Sequence, residues 1–152
     1  MSQIIVKTRI IPKKITENIV SRQRLYKKFE ENASKNIILV IGPAGYGKTT
    51  SVLDYLNSSG KKYAWLYLSP DIDNPSVLLS YMIHSLRELN GSFGENTLEL
   101  ISSLTANDMF TREAGTSINT VIGSFVNEFV TDFAEDITLV IDDLHNIEDS
   151  GW

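Results

Sequence analysis

Apolar residues follow two rhythms along this chain, and the alternation between them predicts the fold. Ile37-Ile38-Leu39-Val40-Ile41, Tyr63-Ala64-Trp65-Leu66-Tyr67-Leu68 and Ile137-Thr138-Leu139-Val140-Ile141 are short runs rich in β-branched and aromatic residues. Such runs read as strands, and the first of them as one buried on both faces, as in parallel sheets. Between them, apolar residues recur at helical spacing: Leu25 and Phe29; Val52, Leu53 and Leu56; Leu79, Met82, Ile83 and Leu86; then Ile118, Val121, Ile122, Phe125, Phe129 and Phe133. The punctuation agrees. Ser21 is placed to cap a first helix ending near Asn32 to Asn36. A second helix runs from Lys48 to near Asn57, with Gly60 as its stop. Ser69-Pro70-Asp71 is a turn, and Asn74-Pro75 opens a helix that reaches Asn90-Gly91. Leu98, Ile101 and Leu104 hint at a further helix, Ala106 to Ser117 is polar and weakly periodic, and the last helix closes near Glu135-Asp136.

Strands alternating with helices predict an α/β fold with right-handed connections and a mostly parallel sheet. Where the first strand ends, Gly42-Pro43-Ala44-Gly45-Tyr46-Gly47-Lys48-Thr49 carries two glycines five apart, then lysine, then a hydroxyl residue. This is the phosphate-loop pattern, here in its required setting between a strand and a helix. Glycines let successive N–H groups converge on one concavity, and the helix that follows adds the positive end of its dipole. Lys48 supplies a compact charge to the β- and γ-phosphates, and the Thr49 hydroxyl is a magnesium ligand. Thr50 completes the loop. The candidate nucleotide-binding residues are therefore Gly42, Pro43, Ala44, Gly45, Tyr46, Gly47, Lys48, Thr49 and Thr50.

The strand Ile137 to Ile141 delivers Asp142 and Asp143 to its C-terminal end. Open α/β sheets place ligands at the carboxyl ends of their strands, which gives this pair chemical meaning. Asp142 is the candidate to hold Mg²⁺ through water, and Asp143, with Lys48, is the candidate catalytic residue, polarising an attacking water. His145 just beyond either senses the γ-phosphate or caps the turn. His84 and Trp65 read as structural, and the aromatic stripe of the last helix reads as core.

Length and composition narrow the picture. At 152 residues, with 42% hydrophobic and 22% charged residues, the chain fits one packed domain. The longest apolar run, Tyr63 to Leu68, is far shorter than the ~20 residues needed to span a bilayer, and no secretory signal is evident near the N-terminus. A cytoplasmic location is expected. With no cysteine and two histidines, disulfides, thiolate catalysis and Cys-ligated zinc are excluded, and oxygen-ligated magnesium remains.

The net charge of −5 hides a polarity along the chain. Residues 1–28 hold eight basic groups against Glu17 alone, a balance of +7 that leaves −12 for the rest. The basic arm carries Tyr26 as its only aromatic, so it reads as a solvated face rather than a nucleic-acid footprint.

Several segments, taken in order, resemble a known family: Thr8-Arg9-Ile10-Ile11-Pro12, Ile19-Val20-Ser21-Arg22-Gln23-Arg24-Leu25, the loop Gly42 to Thr49, Ala64-Trp65-Leu66-Tyr67-Leu68, Asp73-Asn74-Pro75 and Val140-Ile141-Asp142-Asp143-Leu144-His145. They are similar to the start of the large ATP-dependent LuxR-type (MalT-like) transcriptional regulators, of the STAND class of P-loop NTPases. The resemblance implies a three-layer P-loop NTPase, with helices on both faces of the sheet. It further implies a nucleotide-bordering arm and first helix over 1–36, and a core over 37–152 truncated after the acid-tipped strand. It puts Val20 and Arg22 at the adenine end of the nucleotide. It implies ATP and Mg²⁺ as ligands, slow hydrolysis in the full-length protein with little or none in this chain, self-association as the regulated output, and DNA contact only through a domain absent from this chain. In that family a sensor-bearing strand lies between the loop strand and the acid-tipped strand. Its absence here predicts a slot between Ile37–Ile41 and Ile137–Ile141, marginal stability, and either self-association or a rearranged strand order.

Two other functions compete. A small phosphotransferase would need arginines closing on its acceptor, whereas only Arg87 and Arg112 are basic after Lys62. A nucleotide-binding interaction module without hydrolysis is the other alternative.

Overall fold

The computed structural model describes residues 4–15, 19–103 and 114–147. They form two compact units: Lys13–Lys61 is one, and the residues up to Pro12 together with those from Lys62 onward make the other.

In the first unit, α1 (Gln23–Glu31) and α2 (Lys48–Ser59) pack through aromatic rings. Tyr55 of α2 meets Tyr26 edge-on at 5.7 Å and Phe29 at 4.9 Å between ring centroids, and its hydroxyl donates to Glu30 Oε1 at 2.7 Å. Burial, reinforced by that bond, pushes the Tyr55 phenol above its ordinary pKa. The helix α1 differs from expectation at its start. Arg22 is the N-cap residue and offers no side-chain bond, while the Ser21 hydroxyl accepts from Gln23 Nε2 at 3.2 Å. The helix α2 runs as anticipated, closed by Gly60 in the left-handed conformation at φ +67°.

The segment Ile37–Ile41 is the main departure, because it forms no strand. Its five side chains are 84, 46, 68, 37 and 83% exposed. An apolar run becomes a strand only when a neighbouring backbone supplies a ladder, and the one sheet among the described residues has two strands, neither of them this segment. The described residues are mixed α/β with a small parallel strand pair, and a full three-layer sheet is not seen among them.

That pair belongs to the second unit. The strand β1 (Tyr63–Tyr67) runs parallel to β2 (Thr138–Asp142), with Tyr63 opposite Thr138 and Tyr67 opposite Asp142. Alternation along β1 sorts its side chains. Ala64, Leu66 and Leu68 join the apolar clusters, whereas Tyr63, Trp65 and Tyr67 form a ring ladder on the opposite parity. Trp65 is 1% exposed, as expected of a core residue.

The helix α3 (Pro75–Leu86) starts where the sequence indicated, with Asn74 Oδ1 accepting from Val77 N at 2.9 Å. It presents Tyr81 to a cluster with Ile10, Leu66, Leu68 and Ile72, and Ile83 and Leu86 to one with Ala64 and Phe93. The arm before α1 is held by Arg9, which donates to Asp71 Oδ2 at 2.6 Å and to the Tyr81 hydroxyl at 3.1 Å. The hinted helix is α4 (Glu95–Ser103); Leu104 lies outside the described residues. The last helix, α5 (Ala114–Asp132), begins four residues before Ile118 and ends short of Glu135. Its Phe125 and Phe129, with Phe133 just beyond its end, surround Phe93 at centroid distances of 5.6, 6.2 and 5.1 Å.

The orphan N–H groups at the start of α4 are met from α5. Glu128 accepts from the backbone of Asn96 at 3.1 Å and of Thr97 at 3.0 Å, from Asn96 Nδ2 at 3.1 Å, and from the Thr97 hydroxyl. Partial burial pushes the Glu128 carboxyl up, but these donors outweigh it and hold the group below its usual range. A depressed folded pKa contributes stability that is complete above the unfolded value, ~4.3, and is lost as pH falls through the folded one. Glu128→Gln is therefore expected to cost about 1–2 kcal/mol at neutral pH, with the deficit shrinking below about pH 4. Urea denaturation of both proteins across that range checks it; a deficit independent of pH contradicts the assignment.

Candidate functional site

The glycine-rich loop opens α2. Gly45 and Gly47 take positive φ, +77° and +74°, which lets the chain reverse and aim into the helix start; Gly47 is the N-cap residue and its carbonyl accepts from Ser51 N at 2.9 Å. Lys48 folds back across the loop. Its Nζ donates to the carbonyl of Gly42 at 2.8 Å and of Pro43 at 3.2 Å, so the ammonium is fixed among the backbone groups of the loop. Pro43, Ala44, Tyr46 and Thr50 are exposed, while Gly42, Gly47, Lys48 and Thr49 are half-buried.

Beside the loop lies a pocket of about 300 Å³, lined by Ile19, Val20, Arg22, Gly47, Thr50, Ser51 and Asp54. That is the lower end of the ~300–1,000 Å³ range of small-ligand sites. The structure thus brings Val20, Arg22, Gly47 and Thr50 to one place. Val20 is 84% exposed, an aliphatic wall open to solvent. The Arg22 guanidinium stands over the start of α2, where a Cβ added to Gly47 would come 3.5 Å from its Nη2. Sequence reasoning passed over Ser51 and Asp54. The signal was available, since positions 47, 50, 51 and 54 share one helical face above the loop.

Asp142 and Asp143 stand at the C-terminal end of β2 in the second unit. Asp142 is half-buried, and its Oδ1 accepts from Asp143 N at 2.9 Å. Asp143 adopts φ +58°, a conformation aspartate tolerates better than most residues. The turn is pinned to Leu68, the residue just after β1: Leu68 N donates to Asp142 O at 3.0 Å, and Asn146 Nδ2 donates to Leu68 O at 3.0 Å. His145 is exposed on the short 3₁₀ turn Leu144–Ile147. His84 is half-buried on α3, and burial with Arg87 nearby lowers its pKa, which suits a neutral structural imidazole. Among the described residues no group of three or more His, Asp or Glu side chains forms a ready-made metal cage, and no helix is long and apolar enough to cross a membrane.

A parallel strand pair flanked by helices, with a glycine-rich loop opening a helix beside a pocket, defines a mixed α/β chain compatible with a phosphate-loop fold. No protein-family model matches it. Among known proteins it is similar to the serine/threonine-protein kinase PknK of Mycobacterium tuberculosis, 27% identical over 146 residues, which are 94% of this chain and 12% of that protein. It is also similar to the HTH-type transcriptional regulator MalT of Serratia proteamaculans, 35% identical over 88 residues, and to that of Cronobacter sakazakii, 31% identical over 88 residues. Those two matches each cover 54% of this chain and 10% of the regulator. The chain spans about a tenth of the length of the curated relatives it matches.

Proposed function

We propose that this chain is an ATP-binding, slowly hydrolysing switch module of a cytoplasmic transcriptional regulator, of the STAND type, in which the nucleotide state governs self-association. The observation that carries the reading is the loop itself: Gly45 and Gly47 in left-handed conformations, Lys48 drawn among the loop carbonyls, and a nucleoside-sized pocket alongside. The likeness to regulators named MalT supports the regulatory part. Self-association is part of the proposal, and the five exposed apolar side chains Ile37–Ile41 are the surface it would use.

In this reading residues Gly42 to Thr50 bind the phosphates, and Val20 and Arg22 border the adenine. Thr49, a hydroxyl, and Asp142, a carboxylate, are the proposed magnesium ligands, oxygen donors of the kind that ion takes while keeping most of its waters. Asp143, exposed at its turn, is the residue proposed to polarise the attacking water. DNA contact belongs to another part of the regulator.

The test is calorimetric titration of ATP with and without magnesium. Asp142→Asn is expected to lower magnesium affinity about 10–100-fold, the range for lost carboxylate support of a metal, and so to remove most of the magnesium enhancement of ATP binding. Asp143→Asn leaves binding in place and slows hydrolysis. Equal loss of binding in both variants overturns the division of roles.

A further inference from the structure

Asp54 has no part in the reading above, yet it lines the same pocket as Gly47 and Thr50. It lies seven residues beyond Gly47 on the same face of α2, about 10 Å along the axis at ~1.5 Å per residue. Its orientation is fixed, because Oδ2 accepts a hydrogen bond from the Tyr26 hydroxyl of α1. An ionised carboxylate only accepts hydrogen bonds, so what it asks of an occupant is donors. Phosphate oxygens cannot supply them and are repelled. The vicinal hydroxyls of a ribose supply two, on the part of a nucleotide nearest its phosphates. The aliphatic side chains of Ile19 and Val20 in the same lining suit the flat, less polar base.

Resting on the ATP-binding reading, we propose that Asp54 reads the sugar: it accepts the ribose 2′-hydroxyl and makes the site selective for ribonucleotides over 2′-deoxyribonucleotides, with Tyr26 as the residue that positions it. Carboxylates are used on ribose hydroxyls in the same way in dinucleotide-binding sheets. The selectivity follows from the half-buried Asp54 carboxylate losing one donor when the 2′-hydroxyl is missing.

The experiment is calorimetric titration of the 152-residue chain with ATP, 2′-deoxy-ATP and GTP, for the native protein, Asp54→Ala and Tyr26→Phe. The native protein is expected to prefer ATP to 2′-deoxy-ATP about tenfold or more. Asp54→Ala brings that ratio close to one, and Tyr26→Phe gives an intermediate ratio because the carboxylate remains but is free to turn. Tyr26→Phe carries the test alone if Asp54→Ala does not fold. A native ratio within twofold overturns the proposal, as does equal weakening of ATP and 2′-deoxy-ATP by Asp54→Ala. A changed ATP-to-GTP ratio with an unchanged sugar ratio also overturns it and places Asp54 at the base. Failure of the underlying reading looks different: the native protein then binds none of the three nucleotides.

Discussion

Lys48→Ala is expected to weaken ATP binding by about 1.5–3 kcal/mol, roughly 10- to 150-fold, and to leave adenosine binding nearly unchanged. The asymmetry follows from where the ammonium sits. Lys48 Nζ is 2.8 Å from the Gly42 carbonyl and 3.2 Å from that of Pro43, at the foot of the loop. An ammonium carries three donors, so two carbonyls leave capacity for a phosphate oxygen, and the charge does its work only on a charged ligand. Adenosine brings the base and sugar to the pocket and nothing to the lysine. Removing the side chain also releases the two carbonyls, and the extra freedom of the loop adds to the loss for ATP. Parallel calorimetry with ATP and adenosine decides the matter, and equal losses for the two ligands would contradict the phosphate assignment.

Most of the helices were legible because their signals are local. Asn74-Pro75 and Gly60 mark boundaries by backbone chemistry that no tertiary contact need support, and both are found where the sequence put them. The aromatic stripe Phe125, Phe129 and Phe133 likewise needs only a partner, which Phe93 provides. Ile37–Ile41 was illegible for the opposite reason. Its composition reports that the segment prefers burial, but pairing depends on a second backbone, and composition alone carries no information about one. The start of α5 at Ala114 was missed because Ala114-Gly115-Thr116-Ser117 has no apolar period, although a helix nucleated by the aromatic stripe can extend through it. In the candidate site the loop was plain, since its motif encodes both geometry and charge. Ser51 and Asp54 were overlooked because α2 was read for its apolar face, and the polar face carries the pocket.

The largest effect on stability is expected from a single methyl group at Gly94. This residue sits between α3 and α4, buried, with φ +75°, and its carbonyl accepts from Leu98 N at 3.0 Å to begin α4. A Cβ placed there would lie 2.4 Å from Ile83 Cγ2, 3.1 Å from its Cγ1 and 3.3 Å from its Cβ. Ile83 cannot swing aside easily. It is 0% exposed, packed with Ala64, Leu86 and Phe93, and as a β-branched residue within α3 it is nearly confined to one χ1 rotamer. The left-handed conformation costs a non-glycine residue roughly 1–2 kcal/mol, and overpacking adds about 1–3 kcal/mol. Gly94→Ala should therefore lose about 2–5 kcal/mol, a large share of the ~5–15 kcal/mol that holds a typical domain together. Gly91 provides the control, because nothing lies within 4 Å of a Cβ built there and its φ lies outside the left-handed region. Chemical denaturation of the two variants separates the causes. The double variant Gly94→Ala with Ile83→Ala removes the clashing branch, so its loss should be smaller than the sum of the single losses, whereas strict additivity would mean that Ile83 is not what the methyl group meets. A loss for Gly94→Ala no greater than for Gly91→Ala would contradict both the backbone conformation and the packing of α3 against the turn that starts α4.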